Sequence, residues 1–160
     1  MDNKLISLLE KHQCIHRKEN ITLSAGKSTN IYYDIKKATG IPELFMFITS
    51  KLDDIIPKNS SIVAVSTGGI PYSAALSYKR QCEFAYVRSH IKNYGMNNMI
   101  EGVINTKKQI YIIDDVCTTG TSILKVEKYI KSIYPYANTN LACIIDRSIP
   151  KNNIISIEKI

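Results

Sequence analysis

The sequence predicts an α/β fold, a mostly parallel central sheet flanked by helices. Two observations carry this. Four short apolar runs, 62–65 (IVAV), 84–87 (FAYV), 110–113 (IYII) and 141–145 (LACII), have the length and composition of strands buried on both faces. Segments of helical spacing, 71–79 (PYSAALSYK) and 121–134 (TSILKVEKYIKSIY), follow the first and third of these runs. Strand and helix therefore alternate, the order that makes neighbouring strands parallel and puts helices on the sheet faces.

Near the start, Leu5, Leu8 and Leu9 fall at helical spacing, and residues 30–35 (NIYYDI) alternate as a strand does. From Pro42 the segment PELFMFITSKLDDII reads as an amphipathic helix with proline in its first turn, ended by Pro57 and the polar KNSS turn. The core strands follow. Residues 89–102 show no clear periodicity and read as a long loop, a length that in a compact domain usually serves function.

At 160 residues, 44% hydrophobic and 22% charged, the chain suits a single domain over 1–160. No stretch approaches the roughly 18 to 20 apolar residues of a membrane helix. The opening MDNKLISLLEK lacks a basic region followed by a long apolar one, so a cytoplasmic location and no membrane partner are expected. Cys14, Cys82, Cys117 and Cys143 stand far apart and are expected to be reduced packing thiols. His12 and His16 are one helical turn apart, but Gln13 stands where a metalloprotease helix needs glutamate. The formal charge of +7 suits anionic partners, yet no basic block interleaved with aromatics and no finger spacing is present, so no nucleic acid is expected. Residues 26–28 (GKS) end like a Walker loop, but Ile21 occupies the first glycine's place.

The segment with the most chemistry is 110–123, IYIIDDVCTTGTSI. Asp114 and Asp115 come directly after the apolar run, followed by Thr118, Thr119, Gly120, Thr121 and Ser122 and then a helix. Such a turn aims N–H groups and hydroxyls at one point, where the helix adds its positive dipole end. Two acids beside a phosphate cradle can hold ribose hydroxyls and the water shell of Mg2+. The plainer alternative is a strand-to-helix turn with Asp and Thr as caps.

This segment resembles the phosphoribosyl pyrophosphate-binding motif of the type I phosphoribosyltransferases. Residues 62–76 (IVAVSTGGIPYSAAL) resemble the family's pyrophosphate loop, which places Ser66, Thr67, Gly68 and Gly69 against pyrophosphate; an ordinary turn is the alternative there. Three further segments are similar to the orotate phosphoribosyltransferases. Residues 21–38 end in the aromatic strand whose Tyr32 and Tyr33 take ring-contacting positions. Residues 86–102 resemble the mobile catalytic loop, with matches at Arg88, Lys92, Tyr94 and Gly95. Residues 144–148 (IIDRS) place Arg147 as the orotate-contacting arginine.

The resemblance implies a type I phosphoribosyltransferase fold with a small N-terminal hood over about 1–40 and a core over about 41–160. It implies transfer of the phosphoribosyl group from phosphoribosyl pyrophosphate to orotate, with Mg2+ as cofactor held through water by Asp114 and Asp115 rather than by direct ligation. Lys92, Asp114 and Asp115 are the implied catalytic residues, and the partner is a second subunit of a homodimer that shares the loop. Three positions depart from the pattern: Ser24, Gly68 and Ser89 stand where many relatives carry lysine. Lys27 and His90 lie near these positions without matching them. The departures keep two alternatives open, transfer to another base and a non-catalytic sensor of phosphoribosyl pyrophosphate.

Overall fold

The computed structural model describes residues 4–22, 28–88, 99–148 and 153–160. Helix α1 (Lys4–Lys11) leads into strands β1 (Ile15–Thr22) and β2 (Ser28–Tyr33), which form an antiparallel two-stranded sheet. A single turn, α2 (Ile35–Ala38), and helix α3 (Pro42–Ile55) follow. The expected strand 30–35 therefore stops two residues early. Asp34 accepts a hydrogen bond from Lys37 N at 2.9 Å, so its side chain caps α2 instead of extending β2.

The second sheet has the order β5-β4-β3-β6-β7-β8. Strands β3 (Ser60–Val65), β4 (Phe84–Val87), β6 (Gln109–Cys117), β7 (Thr139–Asp146) and β8 (Ile154–Lys159) are parallel, and β5 (Ile100–Gly102) runs antiparallel on the edge. Helices α4 (Ile70–Arg80) and α5 (Thr121–Ile133) follow β3 and β6. The chain leaves β3 towards β4 on one side and β6 towards β7 on the other. The carboxyl ends of β3 and β6 thus border the crevice where the strand order reverses, the usual ligand position in such sheets.

Side chains of adjacent residues enter opposite cores because a strand alternates its faces. Ile62, Tyr111 and Ile113 pack with Leu5, Leu44, Ile48, Leu52 and Tyr72. Val63, Val65, Ile110 and Ile112 pack with Ile123, Val126 and Ile130 of α5. Each of the α5 residues contributes about 1.5 to 3 kcal/mol by leaving water.

Two expectations need correction. The acids do not follow β6 but belong to it, because pairing with β7 continues through Asp114↔Cys143 to Cys117↔Asp146. The loop read over 89–102 ends early: Ile100–Gly102 pair with β4, with Gly102 at φ 97°, where a side chain would also meet the Phe84 carbonyl. All four cysteines are free thiols, and Cys14, Cys117 and Cys143 are buried.

Charge also fastens the helices. Asp53 of α3 is buried and meets Lys58 at 2.7 Å, Lys79 at 2.8 Å and Arg80 Nε at 2.6 Å. Arg80 also donates to the carbonyls of Asp53, Ile56 and Pro57, which closes the end of α3. Burial alone would raise the Asp53 pKa, but the hydrogen bonds from Lys58, Lys79 and Arg80 outweigh it and hold the carboxyl well below its usual range.

Candidate active site

The end of β6 is shared by two cavities. One, of about 210 Å³, is lined by Asp114, Val116, Cys117, Lys125 and the turn from Thr118 to Ser122. The other, of about 260 Å³, is lined by Thr22, Tyr32, Tyr33, Lys36, Asp115, Val116, Thr118 and Arg147. Val116 and Thr118 face both, so a molecule lying across them has one end on the threonine turn and the other between the tyrosines.

The turn is shaped by Gly120, whose φ of 73° is left-handed and inexpensive only for glycine, and which precedes the first residue of α5. The Thr119 and Thr121 hydroxyls lie 2.7 Å apart, and Thr121 N donates to Thr119 Oγ1 at 3.3 Å. The first N–H groups of a helix lack intrahelical acceptors and carry its positive end, so this concavity suits a phosphate. Lys125, four residues after Thr121, brings a cation to the same wall. Below it, Cys117 remains a neutral thiol, its pKa raised first by the neighbouring Cys143 and then by burial.

The two acids have separate environments. Asp114 is buried, and its Oδ1 accepts from Asp115 N at 2.9 Å; Asp115 is half-buried, and its Oδ1 accepts from Val116 N at 2.9 Å. Burial, followed by the charge of Asp115, raises the Asp114 pKa well above the carboxylate range, while Lys36 opposes the rise. The two acids are therefore not equivalent: the continued β6–β7 pairing draws Asp114 into the sheet, while Asp115 stays half-buried.

The loop after β3 comes up against Asp115. A Cβ at Gly68 would lie 2.0 Å from Asp115 Oδ2, and one at Gly69 would lie 2.3 Å from the Ile113 carbonyl oxygen. Ser66 N donates to Val87 O at 3.2 Å, which ties this loop, including exposed Thr67, to the end of β4. Arg88, next along, has its Nε 3.4 Å from Glu101 and its backbone N bonded to Met99 O. Ser66, Thr67, Gly68, Gly69 and Arg88 line neither cavity described above; Gly68 adjoins the second of them through Asp115.

Tyr32, Tyr33 and Arg147 do converge. The Arg147 guanidinium lies 5.4 Å from the Tyr33 ring centre and donates to Ile31 O at 2.9 Å and Thr29 Oγ1 at 3.2 Å. It is thus also a tie between β7 and the hairpin. Lys92 and Tyr94, with Ser24, Lys27, Ser89, His90 and Gly95, lie outside the described residues. His12 bonds Glu43 at 2.7 Å and His16 faces Asp34 at 3.6 Å.

Sequence reasoning missed Thr22, Lys36 and Lys125. The i, i+4 spacing from Thr121 was a usable signal for Lys125. Lys36 gave none, because the turn that aims it depends on Asp34 leaving the strand.

The family model for the phosphoribosyl transferase domain matches residues 39–159. The orotate phosphoribosyltransferase of Methanocaldococcus jannaschii is 38% identical over 130 residues, 81% of this chain and 73% of the relative. That of Pyrobaculum aerophilum is 34% identical over 112 residues, 69% of this chain and 58% of the relative's length. Among solved structures, the orotate phosphoribosyltransferase of Aeropyrum pernix superposes with a TM-score of 0.79 at 24% identity, over 98% of this chain and 93% of the other. An adenine phosphoribosyltransferase from Thermoanaerobacter pseudethanolicus superposes with a TM-score of 0.63 at 15% identity, over 95% and 99%. The shared fold therefore does not select the base.

Proposed function

We propose, for a chain that belongs to the phosphoribosyltransferase family and within it to the orotate phosphoribosyltransferases, that it transfers the phosphoribosyl group of phosphoribosyl pyrophosphate to orotate, giving orotidine 5′-monophosphate and pyrophosphate. One observation carries this reading: the phosphate-shaped turn and the aromatic, cationic slot meet at Val116 and Thr118, with a carboxyl group on each side. A ribose 5-phosphate lying across that junction, its phosphate on the turn, would direct its C1 at the slot.

In the reaction the bond from ribose C1 to the pyrophosphate oxygen breaks and pyrophosphate keeps the pair. An orotate nitrogen forms the new bond to C1 and releases its proton. Since the ribose becomes cationic in passage, the protein has to align the acceptor and offset charge; it needs no nucleophile. Thr118, Thr119, Gly120, Thr121 and Ser122 hold the 5-phosphate, aided by Lys125. Asp114 and Asp115 hold ribose hydroxyls. Ser66, Thr67, Gly68 and Gly69 receive pyrophosphate, with Arg88, Lys92 and Tyr94 closing over it. Tyr32, Tyr33 and Arg147 hold the base.

Hard oxygen donors beside a phosphate site fit a hydrated Mg2+; burial is the first cause of the raised Asp114 pKa, and such an ion would offset the second, the charge of Asp115. Bound with pyrophosphate, Mg2+ supplies positive charge for the departing group. A homodimer sharing the segment that carries Lys92, and action in the cytoplasm, belong to the same proposal; the free thiols suit a reducing compartment. The test is incubation with phosphoribosyl pyrophosphate, Mg2+ and orotate, adenine, hypoxanthine or uracil in turn. Orotidine 5′-monophosphate as the main product is expected; ligand binding without any product, or product only with another base, overturns the proposal.

A further inference from the structure

Lys36 is a cation of the acceptor slot to which the sequence motifs assign no role. Its backbone is held from four directions. Asp34 caps the turn through Lys37 N, Tyr72 of α4 donates its buried hydroxyl to Ile35 O at 2.9 Å, Lys37 Nζ reaches Gln13 O at 2.9 Å, and Ile35 and Ala38 are wholly buried. A side chain projecting from such a turn starts from a fixed backbone position, which limits the region its charge can reach.

The slot contains two cations, and they differ in what they already do. Arg147 donates to Ile31 O and Thr29 Oγ1 and lies near the Tyr33 ring, so part of its donor capacity maintains the hairpin. The Lys36 carbonyl accepts from Thr39 N and Oγ1, but its ammonium forms no hydrogen bond or ion pair among the described residues, and its charge acts on Asp114 through space. It lines the cavity of the tyrosines and Arg147 and not that of the threonine turn. Its anionic partner therefore belongs to the acceptor end of the bound pair. An uncharged pyrimidine offers no such partner, whereas a carboxylated one does.

We infer that Lys36 is a specificity-determining residue, pairing with the carboxylate of the acceptor base and supplying a positive charge to a chain whose sequence has Ser24, Gly68 and Ser89 in place of lysines. This rests on the acceptor being orotate. A charge-assisted pair has about twice the strength of a neutral one, and its loss should appear in acceptor binding rather than in the chemical step.

The experiment compares the full chain with Lys36→Met and Lys36→Arg, measuring KM for orotate and for phosphoribosyl pyrophosphate separately, kcat at saturation, and melting temperature. Expected for Lys36→Met is a rise of about tenfold or more in the orotate KM, with the other three within about threefold or a few degrees. Lys36→Arg should recover most of the orotate affinity. An unchanged orotate KM in Lys36→Met overturns the inference, as does an equal loss for both substrates, which would move Lys36 to the phosphates. If the unsubstituted chain makes no orotidine 5′-monophosphate, the functional reading itself falls. A productive parent with an indifferent Lys36→Met condemns this inference alone.

Discussion

Gly68→Ala is the sharpest perturbation of the site. The added methyl would lie 2.0 Å from Asp115 Oδ2, 2.2 Å from Cγ and 2.6 Å from Oδ1, so the obstacle is a carboxyl group able to rotate. Restoring ordinary contact requires that group to withdraw by about 1 Å or more, and a misplacement of that size costs on the order of 100-fold in rate. Withdrawal also endangers the bond from Val116 N to Asp115 Oδ1. The fold itself should lose no more than about 1 kcal/mol, because a side chain gives way rather than backbone. Gly69→Ala provides the contrast: its methyl meets the Ile113 and Val65 carbonyl oxygens at 2.3 and 3.0 Å, and backbone must move, at a cost of about 1 to 3 kcal/mol. Steady-state kinetics and thermal unfolding of both variants make the comparison. A folded Gly68→Ala protein with the parent's kcat/KM would refute the argument that Asp115 must sit beneath this glycine. By the same geometry, Gly68→Lys does not simply restore the relatives' cation, since its Cβ meets the same carboxyl.

Three other perturbations separate structure from chemistry. Arg80→Met removes one of the three cations on the buried Asp53 carboxylate, leaving Lys58 and Lys79, and opens the end of α3; urea titration should show a loss of about 2 kcal/mol. Because the folded Asp53 pKa is lowered, its contribution to stability is complete above the unfolded value of about 3.9 and is lost as pH falls below it towards the folded value; Arg80→Met should make that acid limb shallower while Lys58 and Lys79 keep part of it. Arg147→Ala should weaken orotate binding and also speed amide exchange at Thr29 and Ile31, since one side chain serves both; unchanged exchange would count against the tie. Mixing Asp115→Asn with Lys92→Ala subunits should restore roughly a quarter of the sites if the loop is shared across a two-fold dimer, and proven subunit exchange without recovered activity would rule that sharing out.

What could be read from the residues divides along a physical line. The four apolar runs became β3, β4, β6 and β7, and the segments after β3 and β6 became α4 and α5, because burial on both faces leaves a strong local signature. β1 and β8 were not recognisable: β1 exposes five consecutive residues from His16 to Asn20, and β8 is an edge strand with one wholly buried side chain, so neither shows alternation. The acids were found, but not the burial of Asp114, which is set by its register opposite Cys143, 29 positions away in the chain. Tyr32, Tyr33 and Arg147 were legible as a group only through family likeness, since their meeting depends on the hairpin reaching the end of β7. Lys36 escaped for the related reason that its direction is fixed by Asp34, Tyr72 and Gln13, residues without a common motif.

The walls around the acceptor differ in how readily they open. β6 is bonded to strands on both sides and is buried from Ile110 to Asp114, so its amides should exchange with solvent only through global unfolding. The β1–β2 pair is a separate two-stranded ladder with largely exposed residues, a construction of marginal independent stability. A substrate touching both therefore distributes its binding free energy unevenly. Protection should rise at residues 28–33 and change little at 110–114 until the whole domain is stabilised, which at 100 times Kd amounts to about 2.7 kcal/mol. Affinity for the acceptor consequently includes the cost of ordering the hairpin, and substitutions that stiffen β1 and β2 far from any ligand atom should tighten orotate binding without altering a single contact.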